Sequence, residues 1–338
     1  MAPDKRRNPG RCGTGFNVKV WCNTEPCGVI CAVLSWTFIL YAESVVVGVI
    51  IYPWMGLSML GMAHMFCFTA VAFLALISHG KAMLTDPGAV PESAMPLALA
   101  HVPKDEQSRS LEEQKYRTCR RCRQFKPGRA HHCSICERCV IKMDHHCPWV
   151  NNCVGLGNHK FFLLFIFYVF LMSLYALILV FFRYAKCMSV SCPSNGGKYY
   201  IVWAEDDGAT HPVLFGLFTL CMMCDQYSVI TTGTTQIDRL KGEVADTLGI
   251  REVFGGSSSN FTISWLLPVN IWFPSSVKYQ LLGYILEDEM TVSEDELSDF
   301  DDLLPAESAT EKPITMKETL EGGWSVEKHI HNESTEIV

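Results

Sequence analysis

The sequence predicts an all-α integral membrane protein: a four-transmembrane-helix bundle with a small cytosolic two-zinc cysteine-rich domain between helices 2 and 3. Three observations predict it. The 338 residues are 49% apolar and 19% charged, and the apolar residues gather in long runs. Four of these runs approach the ~20 residues that a helix needs to cross ~30 Å of hydrocarbon. Between the second and third runs, seven cysteines and four histidines crowd into Cys119 to Cys153.

The first run is Gly28 to Ile51, interrupted by Glu43. The second is Leu57 to Ser78. A few uncharged residues around Tyr52 to Met55 join them, so a tight hairpin is expected. The third, Phe161 to Phe182, carries no charge. The fourth, Pro212 to Thr232, contains Asp225. Lipid offers the backbone no hydrogen-bond partner, so each run must be helical. Glu43 and Asp225 are costly inside a span. They either serve function or cap and pair inside the bundle.

Charge sets the expected orientation. Gly80 to Lys160 holds thirteen Lys and Arg against eight Asp and Glu, an excess that favours the cytoplasmic side. The N-terminus (1–27), with Lys5, Arg6, Arg7 and Arg11, agrees, and no cleavable signal peptide is visible after it. An even number of spans then places both termini in the cytosol. The loop 183–211 would face the lumen, where Cys187 and Cys192 either pair or stay free thiols. A linker (79–116) is expected to be partly helical from Pro91 to Tyr116, and a cytosolic region (233–283) follows the last span. Residues 284–338 form an acidic tail: from Glu287 to Val338 there are sixteen acids and three lysines, a composition that favours disorder. Within it Asp299-Phe300-Asp301-Asp302-Leu303-Leu304 fits an acidic dileucine sorting signal. The terminal Glu336-Ile337-Val338 could dock a PDZ-type groove. A solvated acidic tail explains both equally.

The region 117–160 is the informative one. Cys119-Arg-Arg-Cys122 and Cys133-Ser-Ile-Cys136 are knuckles that turn two thiolates toward one ion. Cysteines mixed with histidines read as metal binding, not as a disulfide framework. Two tetrahedral sites need eight ligands, and eleven candidates are present, so some residues are left for chemistry. From spacing alone a zinc-stabilised interaction module without catalysis stays open. On that reading Lys126, Arg129 and Lys142 are a solvated basic face.

The run Asp144-His145-His146-Cys147-Pro148-Trp149-Val150-Asn151-Asn152-Cys153-Val154-Gly155 resembles the signature of the DHHC family of protein S-acyltransferases. The likeness extends over Cys119 to Phe162 and includes Asp86-Pro87-Gly88, similar to the family's DPG motif. Val29 to Pro91 looks closest to Golgi-type members. The resemblance implies two structural zinc ions, one held by Cys119, Cys122, His132 and Cys139, the other by Cys133, Cys136, His146 and Cys153. It implies Cys147 as the nucleophile toward acyl-CoA. His145 would take its proton and Asp144 would orient His145, as in other nucleophile–His–acid sets. Implied partners are palmitoyl-CoA, cysteine-bearing membrane-associated protein substrates and the bilayer. Nucleic acid is not among them. An apolar tunnel would hold the acyl chain, with Trp149 at its mouth or anchored at the interface and Met172 and Ser173 setting depth. Arg129 and Lys142 are candidates for the coenzyme A phosphates by charge.

Two family motifs are incomplete. The TTxE motif is matched only by Thr235-Gln236-Ile237-Asp238, which puts a contact to Asp144 in doubt. Before Val253-Phe254-Gly255 the family's asparagine is replaced by Gly249. Two other classes compete: a zinc-bearing membrane scaffold without catalysis, and a small transporter. Intact Cys147 and His145 argue against the scaffold. The lack of an internal repeat argues against the transporter.

Overall fold

The computed structural model describes residues 23–99, 116–189, 210–241, 249–256 and 260–286. The loop cysteine pair Cys187 and Cys192, the dileucine-type run and the C-terminal tripeptide lie outside the residues whose side chains are described.

Four long helices carry the fold. Helix α1 spans Pro26–Val45, with Pro26 at its first turn and the Glu25 carboxylate accepting from the amide of Gly28. It does not stop at Ile51. A π-helical stretch, Val46–Ile51, and a further turn, Tyr52–Met55, carry it to Gly56. Pro53 has no N–H to give the carbonyl four residues back. The Arg183 guanidinium supplies that donor, 3.3 Å from the Val49 carbonyl and 2.6 Å from that of Ile50. Helix α2 spans Met59–Leu84. Ser58 caps it, its Oγ accepting from the Gly61 amide at 3.1 Å, and Pro87 forbids its continuation beyond Thr85 and Asp86. Helix α3 spans His159–Ser189 and helix α4 Thr210–Thr232.

Among the described residues, three helical stretches are long and apolar enough to cross a membrane: Pro26–Met55, Met59–Leu84 and His159–Lys186. The expected fourth span falls on α4, whose apolar run is broken by Asp225 and Gln226. Helix α3 packs against α2 on one side and α4 on the other. Ile39, Phe68, Ala72, Ala75, Leu164, Tyr168 and Met172 form the core between α1, α2 and α3. Phe66, Phe73, Phe181 and Phe182 stand on outward faces. Glu43 is held by the Thr69 hydroxyl at 2.9 Å, so it is paired between helices.

The cysteine-rich region is built from two small antiparallel hairpins: β2 (Ala130–Cys133) with β3 (Arg138–Ile141), and β4 (His145–Cys147) with β5 (Asn152–Val154). Strand β1 (Ala94–Pro96) pairs with β6 (Tyr284–Leu286), so the chain after α4 clasps the linker after α2. Short helices α5 (Gln236–Lys241), α6 (Arg251–Phe254) and α7 (Ser275–Leu282) complete that layer.

The DPG segment docks this region onto α2. The Asp86 carboxylate accepts from the amides of Gly88 and Ala89, at 2.9 and 2.8 Å. The turn then lies along β3, with Ile141 N donating to Gly88 O and Val90 N to Cys139 O. Gly155 packs so closely here that a Cβ would stand 2.5 Å from the Pro87 carbonyl oxygen.

Candidate active site

Each hairpin sets a histidine directly opposite a cysteine. His132 faces Cys139 across β2–β3, and His146 faces Cys153 across β4–β5. The knuckles Cys119–Cys122 and Cys133–Cys136 complete two groups of four. In the first group His132 Nδ1 lies 3.7 Å from Cys119 Sγ and 3.2 Å from Cys122 Sγ, which is 3.8 Å from Cys139 Sγ. In the second, His146 Nδ1 lies 3.7, 3.4 and 3.6 Å from the sulfurs of Cys133, Cys136 and Cys153. Zinc bond lengths in a tetrahedron require edges of about 3.8 Å between sulfurs and about 3.5 Å from sulfur to nitrogen. Both groups therefore fit a four-coordinate zinc ion. The Cys122 and Cys136 amides also point at the sulfurs of Cys119 and Cys133, at 3.4 and 3.3 Å, as expected for knuckles that hold thiolates.

Cys147 belongs to neither group. It ends β4 and is buried among Ala82, Val150, Val154, Phe161, Phe162 and Ile166. His145 stands two residues before it on β4, so the two side chains share a face of the strand. On its other side His145 Nδ1 lies 2.9 Å from Asp144 Oδ2, and the edge of Phe162 packs on the imidazole, centroids 5.4 Å apart. Burial disfavours the charged imidazole, but the hydrogen bonds and charges of Asp144 and Cys147 outweigh it and raise its pKa to about 10. Burial likewise pushes the Asp144 carboxyl up. The hydrogen bond and positive charge of His145 overcome that and hold it below the usual carboxylate range.

Asp144 is buried and fully engaged. Its Oδ1 accepts from the Gln236 backbone amide at 2.9 Å, and its Oδ2 from Gln226 Nε2 at 2.9 Å. Gln226 Oε1 in turn accepts from His159 Nε2 at 2.7 Å. The contact put in doubt by the incomplete TTxE motif is thus made by backbone. The motif itself is a capping box: Thr235 N donates to Asp238 Oδ2 at 3.1 Å, and Asp238 N to Thr235 Oγ1 at 3.2 Å. Aspartate reaches far enough for this, because both partners belong to the same turn. Asp238 Oδ1 also accepts from His131 Nε2 at 3.0 Å, while Lys241 donates to His131 Nδ1 at 2.9 Å. That accounts for the fourth histidine.

Asparagines tie the loop after Cys147 to α2. Asn152 Nδ2 donates to the carbonyls of Ala82, Met83 and Thr85. Asn158 Nδ2 donates to those of Ala82 and Cys153. Trp36 Nε1 donates to His79 Nδ1 at 2.8 Å, which makes His79 Nε2 the donor to the Trp149 carbonyl, also at 2.8 Å.

The remaining predicted residues fall in three places. The Trp149 side chain is 44% exposed. Met172 is in the core between α1, α2 and α3, and Ser173 faces Gly216 of α4, both ten or more residues along α3 from Phe162. Arg129 and Lys142 converge on Glu252, at 2.8 and 2.5 Å. The Lys142 side chain is 2% exposed and that of Arg129 22%, so Lys142 is turned inward and Arg129 is partly open. Gln226, His159, Asn158, His79 and Glu252 are not singled out by the sequence. Gln226 carries a visible signal, a lone amide in an apolar helix next to Asp225. One residue is ~100° around a helix. Asp225 accordingly sits at the edge of the same network, accepting from Gln236 Nε2 at 2.8 Å and from Gln226 Nε2 at 3.4 Å.

Residues 112–243 match the family model described as DHHC palmitoyltransferase. The chain is 38% identical over 274 residues to palmitoyltransferase ZDHHC3 of Rattus norvegicus, covering 77% of this chain and 85% of that protein. It is 37% identical over 277 residues to palmitoyltransferase ZDHHC7 of Rattus norvegicus, covering 74% of this chain and 81% of the relative. Probable protein S-acyltransferase 12 of Arabidopsis thaliana is 31% identical over 230 residues, 63% of this chain and 75% of its own. With its paired Cys/His groups and an Asp–His–Cys run between them, the chain belongs to the DHHC palmitoyltransferase family.

Proposed function

We propose that this protein is a protein S-acyltransferase that loads a long-chain acyl group, foremost palmitoyl, from acyl-CoA onto Cys147 and passes it to cysteines of target proteins. The carrying observation is the Asp144–His145 hydrogen bond, with His145 two residues before Cys147 on β4 and Cys147 the one cysteine of Cys119 to Cys153 outside both metal-type groups.

The two steps follow from the chemistry of thioesters. His145 accepts the Cys147 proton, and the resulting sulfur attacks the acyl carbonyl. The S–C bond to coenzyme A breaks, and His145 returns the proton to the departing thiol. A substrate cysteine then repeats the exchange on acyl-Cys147. Asp144 fixes the imidazole and balances its charge in a site where water competes poorly. The two zinc ions, when bound, supply structure. They hold both hairpins and so fix the backbone on either side of Cys147.

In this reading α4 is the fourth span, both termini and the cysteine-rich domain are cytosolic, and the protein works in the Golgi or another endomembrane. The acyl chain enters the bundle past Trp149, toward Met172 and Ser173. Coenzyme A phosphates meet Arg129 first, because Lys142 is already matched by Glu252. Sorting-adaptor or PDZ-type contacts through the acidic tail have no support beyond the sequence patterns.

The test is incubation of the detergent-purified protein with labelled palmitoyl-CoA beside Cys147→Ser. A hydroxylamine-sensitive adduct on the wild type alone is expected. No adduct on folded, zinc-loaded wild type would overturn the mechanism and favour a client-binding scaffold.

A further inference from the structure

A fully buried histidine in the last two turns of α2, His79, has no task in the proposed reaction. An ionisable group inside a membrane-type helix is costly and marks function by default. Both of its ring nitrogens are engaged, and the partners set the direction. The Trp36 indole of α1 can only donate, so Nδ1 accepts from it at 2.8 Å and the proton sits on Nε2. Nε2 donates to the Trp149 carbonyl, also at 2.8 Å. Edge contacts with Trp36 and with Phe165 of α3, centroids 6.2 and 4.9 Å away, hold the ring in place. Three helices therefore aim one N–H at one carbonyl. That carbonyl belongs to the turn Pro148–Val150, which lies against α1 and α2 directly after Cys147. Cys147 pairs with Asn152 at the last rung of the β4–β5 hairpin, so residues 148–151 set how its sulfur is presented. Asn151 closes the turn with φ 48°, a left-handed backbone that its surroundings must hold. Ser35 Oγ is 3.3 Å from the same Trp149 oxygen, but its single proton has a nearer acceptor in the Cys31 carbonyl at 3.0 Å. His79 is therefore the main donor to that oxygen.

We propose that His79 is a positioning residue for acyl transfer: through the Trp149 carbonyl it fixes the turn that presents the Cys147 sulfur and, with it, the Trp149 indole past which the acyl chain enters. The inference rests on the acyl-Cys147 reading above. His79 contributes a hydrogen bond to the backbone and no proton to the reaction. Its loss therefore slows the chemical step and leaves the affinity for acyl-CoA in place. A misplacement of about 1 Å at a reacting centre costs about a hundredfold in rate, so a loosened turn is enough to be measured. Phenylalanine at this position keeps a ring and loses both nitrogens. Glutamine keeps one acceptor and one donor, the pair that the imidazole offers.

The experiment follows single-turnover loading of Cys147 in full-length, zinc-loaded protein in detergent, over a range of labelled palmitoyl-CoA concentrations. His79→Phe should lower the rate at saturation about tenfold or more and leave the half-saturating concentration within about twofold of wild type. His79→Gln should recover most of that rate. Trp36→Phe, which removes the donor that selects the tautomer, should slow loading about threefold, and should add nothing in His79→Phe protein. A His79→Phe protein that carries both zinc ions and loads at the wild-type rate would overturn the proposal. So would a loss confined to the half-saturating concentration, or one that His79→Gln leaves unrecovered. Wild-type loading by Trp36→Phe would also overturn it, and decides the matter if His79→Phe does not fold. A wild type with no acyl group on Cys147 would instead sink the parent mechanism.

Discussion

Gln226 of α4 donates to Asp144 at 2.9 Å and is itself held by His159 of α3 at 2.7 Å. Asp144, hydrogen-bonded to His145 at 2.9 Å, is thereby anchored to α3 and α4. A hydrogen bond to a buried charged group is worth about 1.5–3 kcal/mol. Gln226→Leu should therefore slow single-turnover loading of Cys147 by about tenfold or more, with zinc content unchanged. Loading at the wild-type rate would mean that Gln226 only fills space.

The raised pKa of His145 makes an alkaline prediction. Its stabilising contribution is complete below the ordinary value of 6.5 and is lost as pH rises toward about 10, because the native state binds the extra proton. Thermal stability of the zinc-loaded protein should fall between those values. Asp144→Asn removes the charge that raises the imidazole, so its decline should be shallower. Parallel curves for both proteins would contradict the assignment.

Metal content follows from the two four-residue groups. Atomic emission should find two zinc ions per chain, and Cys136→Ser should lose the ion next to Cys147. Because such sites supply folding energy directly, chelation should abolish Cys147 loading, and added zinc should restore it after refolding.

Glu252 is 1% exposed and pairs with both Arg129 and Lys142. Glu252→Ala strands a buried lysine, a loss expected to cost about 3–5 kcal/mol. Adding Lys142→Met should recover part of it, since the unpaired charge is the main penalty. Chemical unfolding of the cytosolic layer in detergent would measure both. A single variant as stable as wild type would show that the pair contributes nothing.

Much of the site was legible because local spacing carried it. The knuckles, the Asp144-His145-His146-Cys147 run and the four apolar stretches are contiguous in sequence, so ligand types can be read there, and the family resemblance of that run points to Cys147. Helix ends were less legible. Pro53 should end α1, yet Arg183, remote in sequence, replaces the missing donor. Lys142 looked like a free cation for phosphate because its partner Glu252 lies 110 residues later.

By itself the sequence determined that this chain joins apolar helices to a metal-type cysteine-rich segment with more cysteines and histidines than two ions need. Periodicity, charge and ligand spacing act over a few residues, so they survive in one dimension. Tertiary structure decided who holds Asp144, why Asp238 suffices in place of glutamate, and that Ser35 of α1 meets the turn after Cys147. Those contacts join residues brought together only when α1, α3 and α4 pack around the hairpins. Their energies depend on burial and hydrogen-bond geometry that no local pattern encodes.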